Sequence, residues 1–80
     1  METSEIKKLI EDGITDAEAI VTGDGGKYEA TVVSPAFEGL SMLKEHQLVY
    51  KTVNAQIASG ELHALTIKAY TPEEWEQNKA

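Results

Sequence analysis

The alternation of apolar and polar positions divides this chain into helices and strands. Over residues 4–12, Ile6, Leu9 and Ile10 fall on one helical stripe, with Ser4 placed to cap the helix and Gly13 to stop it. The period then changes. Residues 17–22 and 28–34 predict two strands around Gly23-Asp24-Gly25-Gly26, whose Asp-Gly and Gly-Gly steps supply the positive φ of a hairpin turn. In the second run Tyr28, Ala30 and Val32 alternate with Glu29, Thr31 and Val33, as on a half-buried strand. Pro35 ends that strand, and residues 37–43 predict a short helix or turn entered near Ser34-Pro35. A longer helix is expected over 44–58, with Leu48, Val49, Val53 and Ile57 on one side and Ser59-Gly60 closing it.

Residues 62–70 predict a third strand. Leu62, Ala64, Thr66, Lys68 and Tyr70 share one face, and His63, Leu65, Ile67 and Ala69 share the other. Thr71-Pro72-Glu73-Glu74 has the form of a helix start: Thr71 caps, Pro72 takes the first helical position and Glu74 completes a capping box. The order α-β-β-α-α-β-α predicts an α+β fold, a three-stranded mixed sheet with helices packed on one face. The third strand follows helices rather than a tight turn, so parallel pairing with a hairpin strand is expected. No repeat or linker interrupts the pattern, and residues 1–80 are expected to form a single domain.

Composition narrows the function. The 80 residues include no cysteine, which excludes a disulfide framework, a thiol nucleophile and a metal site built from the chain's own thiolates. The opening METSEIKKLIEDG is too charged for a signal peptide, and no apolar run approaches the ~20 residues of a membrane span, so a cytoplasmic protein without membrane association is expected. Fourteen acids face seven bases, all lysine, for a net charge of −7. Without arginine, the usual bidentate reader of guanine and clamp of phosphate, nucleic acid is a secondary expectation.

Candidate chemistry is sparse. His46 and His63 stand 17 positions apart, a spacing that matches no standard zinc motif, and no HExxH is present. Ser4, Ser34, Ser41 and Ser59 sit in cap or turn contexts outside any GxSxG elbow. The carboxylates at Glu11-Asp12, Asp16 and Glu18, and Glu73-Glu74-Glu76 fit solvated helix and turn positions, so no enzyme is expected. Gly23-Asp24-Gly25-Gly26 formally matches GxxG, the backbone clamp of KH domains. That clamp joins two helices, whereas this one joins two strands and carries an acid where phosphate would lie. Asp24 and Lys27 are expected at an exposed loop tip, Trp75 against the sheet, and Tyr70 and Trp75 as possible anchors for a partner.

Three segments together resemble the BolA-like family: Phe37-Glu38-Gly39-Leu40-Ser41, then Lys44 through Tyr50 (KEHQLVY), then Leu62 through Trp75 (LHALTIKAYTPEEW). The acidic, glycine-rich hairpin GDGGKYEA most resembles its IbaG (YrbA) branch of small bacterial members. The resemblance implies a class II KH-like fold without the GxxG clamp. It also implies a partner, a monothiol glutaredoxin, with a [2Fe–2S] cluster shared at the interface and thiolates supplied by glutaredoxin and glutathione. His63 is then the metal ligand on this side. Histidine in place of thiolate raises a cluster's potential and makes ligation pH-sensitive, because only neutral imidazole coordinates. Asp24, Lys27, Tyr28, His63, Tyr70 and Trp75 are expected to shape the partner surface.

The chain departs from the family pattern at the loop between the first two strands. Many members carry a second ligand there, and Lys27 stands at roughly that position. A protonated ammonium is not an iron ligand. Ligation would therefore rest on His63 with Asp24, water or a partner thiolate, or docking would proceed without a cluster. The resemblance also implies a second function, DNA binding by a transcriptional regulator, for which Lys44, Lys51 and Lys68 are the available charges. A homodimer through an exposed strand edge is a third expectation.

Overall fold

The computed structural model describes residues 1–79. Its elements run α1 (Thr3–Gly13), β1 (Glu18–Asp24), β2 (Lys27–Val33), a 3₁₀ turn (Pro35–Phe37), α2 (Met42–Thr52), α3 (Asn54–Ser59), β3 (Ala64–Tyr70) and α4 (Pro72–Lys79). The strands form one mixed sheet in the order β1-β2-β3, with β1 antiparallel and β3 parallel to the central β2. The α+β class and the parallel third strand expected from the sequence are both present.

The core lies between this sheet and the helices α1 and α2. Ala19 of β1, Tyr28, Ala30 and Val32 of β2 and Leu65 and Ile67 of β3 face inward, meeting Ile6 and Ile10 of α1 and Val49 of α2. Full burial of an Ile or Leu side chain contributes about 1.5–3 kcal/mol, so these positions hold the helices on the sheet. Gly13 does more than end α1. A Cβ there would lie 2.6 Å from Cγ2 of Thr52, so its hydrogen is what lets α1 approach the end of α2. Helix α1 starts one residue earlier than the sequence suggested, with Glu2 rather than Ser4 at the cap, and the Glu2 amide donates to the Glu5 carboxylate at 2.9 Å.

The middle of the chain differs more from expectation. Of the short helix or turn expected over 37–43, the turn is what forms, entered at Ser34-Pro35 as expected but spanning Pro35–Phe37, while Met42 and Leu43 already belong to α2. Ser34 is fully buried; its hydroxyl donates to the Thr15 carbonyl at 2.7 Å and accepts from the Ala36 amide at 3.0 Å, which closes the short 3₁₀ turn. Ser41 then caps α2, its hydroxyl accepting from the Lys44 amide. The long helix expected over 44–58 breaks at Val53, whose φ of −119° and ψ of 17° leave the helical region so that its side chain is completely buried. Beyond that break, in α3, Ile57 is 38% exposed rather than on the core side.

Helix α4 starts as its capping box requires. The Thr71 amide donates to the Glu74 carboxylate at 2.8 Å and the Glu74 amide to the Thr71 hydroxyl at 3.2 Å. The face of the sheet away from α1 and α2 presents Ile20, Thr31 and Lys68 in one row, and Thr22, Glu29 and Thr66 in the next. Glu29 and Lys68 pair across it at 3.0 Å.

Candidate functional site: a histidine seated on the hairpin turn

The hairpin turn is tighter than the four-residue loop the sequence suggests. Gly23 and Asp24 belong to β1, Asp24 pairs with Lys27, and only Gly25 and Gly26 make the turn, with φ of +59° and +84°. Positive φ at both central residues is the backbone that follows the strand twist, and glycine adopts it without penalty.

Strand β3 enters beside this turn. Leu62 is 1% exposed and anchors the chain below, its amide donating to the Gln56 carbonyl at 3.2 Å. The next two amides, of His63 and Ala64, both donate to the Gly26 carbonyl at 2.9 Å. His63 is thus fixed between a buried plug and a strand, with its side chain exposed. It lies before β3 proper, and the face alternation expected from residue 62 onward begins only at Ala64. The imidazole rests against Gly26: a Cβ on that glycine would come within 2.5 Å of the ring's Cδ2 and 3.3 Å of its Cγ. Gly26 is a seat for the histidine as well as a turn residue.

Asp24 and Lys27 flank the turn, both exposed and neither in an ion pair among the described residues. With His63 they form one polar end of the sheet. Tyr28 does not join them, contrary to expectation. Its ring is 7% exposed in the core and its hydroxyl donates to the Met1 carbonyl, because the inward phase of β2 includes it. Tyr70 and Trp75 do contact each other, with ring centroids 5.5 Å apart at 49°. They stand at the far end of β3, six residues or ~20 Å from Ala64 at the usual strand rise. The expected partner residues therefore occupy two ends of the sheet rather than one patch.

The lysines proposed for DNA do not converge either. Lys44 and Lys51 are exposed on α2, seven residues or roughly 10 Å apart. Lys68 points from the opposite side of the sheet, where its hydrogen bond to Glu29 raises its pKa and balances its charge. His46 lies in the first turn of α2, lining a cleft with Glu45 and Tyr70, away from His63. Among the described residues no three His, Asp or Glu side chains are grouped to hold a metal ion. Sequence reasoning missed Gly26 as the histidine's seat. Its one legible signal was the second glycine after Asp24, and that was fully accounted for by the turn.

Fold and site together describe a small α+β domain that presents the exposed imidazole of His63 beside a two-glycine hairpin turn. The chain belongs to the BolA-like family, whose profile, described as BolA-like protein, matches residues 6–74. It is 37% identical over 79 residues to the acid stress protein IbaG of Escherichia coli K12, covering 99% of this chain and 94% of that one. It is 40% identical over 75 residues to a protein of Acinetobacter guillouiae from the rpoN-murA intergenic region, with 94% and 90% covered. Among solved structures, a BolA homologue from Coxiella burnetii superposes with a TM-score of 0.86 at 42% identity, covering 95% of this chain and 97% of that one. The similarity supports placement in the IbaG branch.

Proposed function

We propose that this chain is a cytoplasmic adaptor that docks on a monothiol glutaredoxin and takes part in [2Fe–2S] cluster trafficking or in iron and stress sensing. The observation that carries the reading is His63, exposed and held on Gly26 by two backbone hydrogen bonds to one carbonyl. A cluster is cargo here, not a resident cofactor. With no cysteine and a single exposed imidazole at the hairpin, the chain offers one ligand, and thiolates must come from the partner. That donor set fits a shared cluster and not a cluster held alone. Imidazole is a neutral ligand, so histidine ligation leaves iron less negatively charged than thiolate does and ties binding to pH.

Lys27 stands where a second ligand would be useful, and its side chain is exposed. It serves better as a charge for recognition than as a donor to iron. Asp24, its register partner across the turn, is the only carboxylate on the hairpin tip itself. A cluster held through His63 alone on this side is more readily released than one held by two ligands, which suits transfer.

The test is anaerobic reconstitution with a monothiol glutaredoxin, glutathione, iron and sulfide, followed by visible absorption and circular dichroism. A one-to-one complex with a spectrum distinct from the glutaredoxin homodimer's is expected. His63→Ala should abolish that distinct spectrum while leaving the fold intact. A wild-type spectrum equal to the homodimer's, with no complex in an NMR titration, would overturn the proposal.

A further inference from the structure

Each edge strand of the sheet is capped near its start, and the rest of the β3 edge borders a cleft. At β1 the outer backbone groups of Ala19 are occupied: its amide donates to the Glu11 carboxylate at 3.0 Å, and its carbonyl accepts from Lys7 at 2.7 Å. Bonds of this kind block a strand from pairing with another chain.

At β3 the phase is set by two bonds. The Ala64 amide reaches the Gly26 carbonyl, and the Tyr70 carbonyl accepts from the Ser34 amide, so both residues turn their polar groups toward the rest of the sheet. Alternation then points the amides and carbonyls of Leu65, Ile67 and Ala69 outward. The Tyr50 hydroxyl, donating to the Leu65 carbonyl at 3.1 Å, confirms that phase. Among the described residues no strand lies beyond β3, and no side chain bonds the backbone of Ile67 or Ala69.

Beside this open stretch runs a cleft of about 250 Å³, bounded by Ile67, Lys68, Ala69 and Tyr70 on one side and Met42, Glu45 and His46 on the other. Met42, at its edge, is 72% exposed. Its acid is Glu45. Glu45 lies in the cleft and Glu74, in the first turn of α4, is close enough to act on it; burial first, and then that neighbour, hold the Glu45 pKa above the usual carboxylate range, while His46 lowers it. Lys68, the cation of β3 itself, is drawn to Glu29 on the open face.

We propose that the outer edge of β3, from Leu65 to Ala69 beside the first turn of α2, docks an extended cationic segment of another protein as a fourth strand. The backbone of Ile67 and Ala69 would supply the pairing, Met42 the apolar cover, and Glu45 with Glu74 the preference for lysine or arginine. Charge argues against a second copy as the occupant. Two chains of net charge −7 would meet there, each bringing its own Glu45 and Glu74. This surface is separate from His63 and does not depend on the cluster reading.

The probe is a capped seven-residue peptide alternating lysine and valine, with a glutamate–valine counterpart as control. With ¹⁵N-labelled protein, the Ile67 and Ala69 amides should exchange quickly when free, and the lysine peptide should slow both and shift their resonances. The His63 imidazole should be unmoved. Glu45→Lys should weaken the lysine peptide at least tenfold and admit the glutamate peptide, and the milder Glu45→Gln should weaken it severalfold. Equal effects of the two peptides, or none at millimolar concentration, would overturn the proposal. Protection of the same amides that grows with protein concentration alone would overturn it in favour of a second copy.

Discussion

Two adjacent glycines allow the seating of His63 to be separated from the turn that makes it. Gly25 and Gly26 both have positive φ, +59° and +84°, so alanine at either carries the left-handed penalty of roughly 1–2 kcal/mol. For a domain of this size that corresponds to a fall in Tm of roughly 4–16 °C in each variant. Their surroundings differ. A Cβ at 25 meets nothing within 4 Å, whereas one at 26 falls 2.5 Å from the imidazole Cδ2. An ordinary carbon–carbon contact is about 3.5–4.0 Å, so the ring must retreat by about 1 Å or more, most simply by rotating away. Gly25→Ala should therefore cost stability and leave His63 in place. Gly26→Ala should cost at least as much and also move the histidine. Thermal melts give the first quantity, and imidazole ¹H–¹⁵N correlation spectra give the second. If the proposed cluster complex with glutaredoxin forms, only Gly26→Ala should change its circular dichroism. Imidazole spectra that are native in both variants, or altered alike in both, would refute the seat.

Two further outcomes concern stability. Ser34→Ala removes a hydroxyl that joins two otherwise separate segments and leaves the Thr15 carbonyl and Ala36 amide without that partner; a loss of about 1–3 kcal/mol is expected in chemical denaturation. The Glu11 carboxylate is held below its usual pKa, first by the hydrogen bond from Lys7 and then by the Ala19 amide. A carboxyl group whose folded pKa is lowered stabilises the fold above its unfolded pKa, and that contribution is lost as pH falls through the folded value. Glu11→Gln should accordingly cost up to about 1 kcal/mol at neutral pH, a figure kept small by solvent screening, and the gap to wild type should close in acid. A gap that is constant from pH 7 to pH 3 would show that the carboxylate's charge is not what holds the edge.

How much was legible follows from where each interaction closes. Elements fixed within a few residues came through: the alternation of Tyr28, Ala30 and Val32, and the Thr71–Glu74 capping box, need only local chemistry. The middle of the chain did not, because its outcome depends on contacts across the fold. Ser34 gives its proton to Thr15, 19 positions back, and Val53 leaves helical geometry to fill the core. His63 stood out first only as one of two histidines, and the family resemblance was what raised it above His46. The histidine's seat was not legible, since Gly26 and His63 are 37 positions apart and meet only because β3 enters parallel to β2. The same parallel entry separates Tyr70 and Trp75 from the hairpin, a distance left out of account when they were grouped with Asp24 and Lys27 as one partner surface.

An adaptor must hold one thing without surrendering its grip on another, and the geometry of β3 allows that. Its entry is tied to the turn through Gly26, so the backbone of His63 cannot shift without disturbing two hydrogen bonds. Its middle, by contrast, has backbone groups at Ile67 and Ala69 turned away from the sheet, beside the cleft that holds Glu45. One segment thereby presents an exposed histidine just before the strand and an unpaired edge further on. Lys27 fits this division. Had a second iron ligand stood at the hairpin, a shared cluster would be gripped from both sides of the turn; under the function proposed above, this side would contribute one releasable bond, and the exposed Lys27 a charge to orient the partner. Retention of cargo would then rest chiefly on thiolates of the partner, and this chain's contribution would be to set where the cargo is shared.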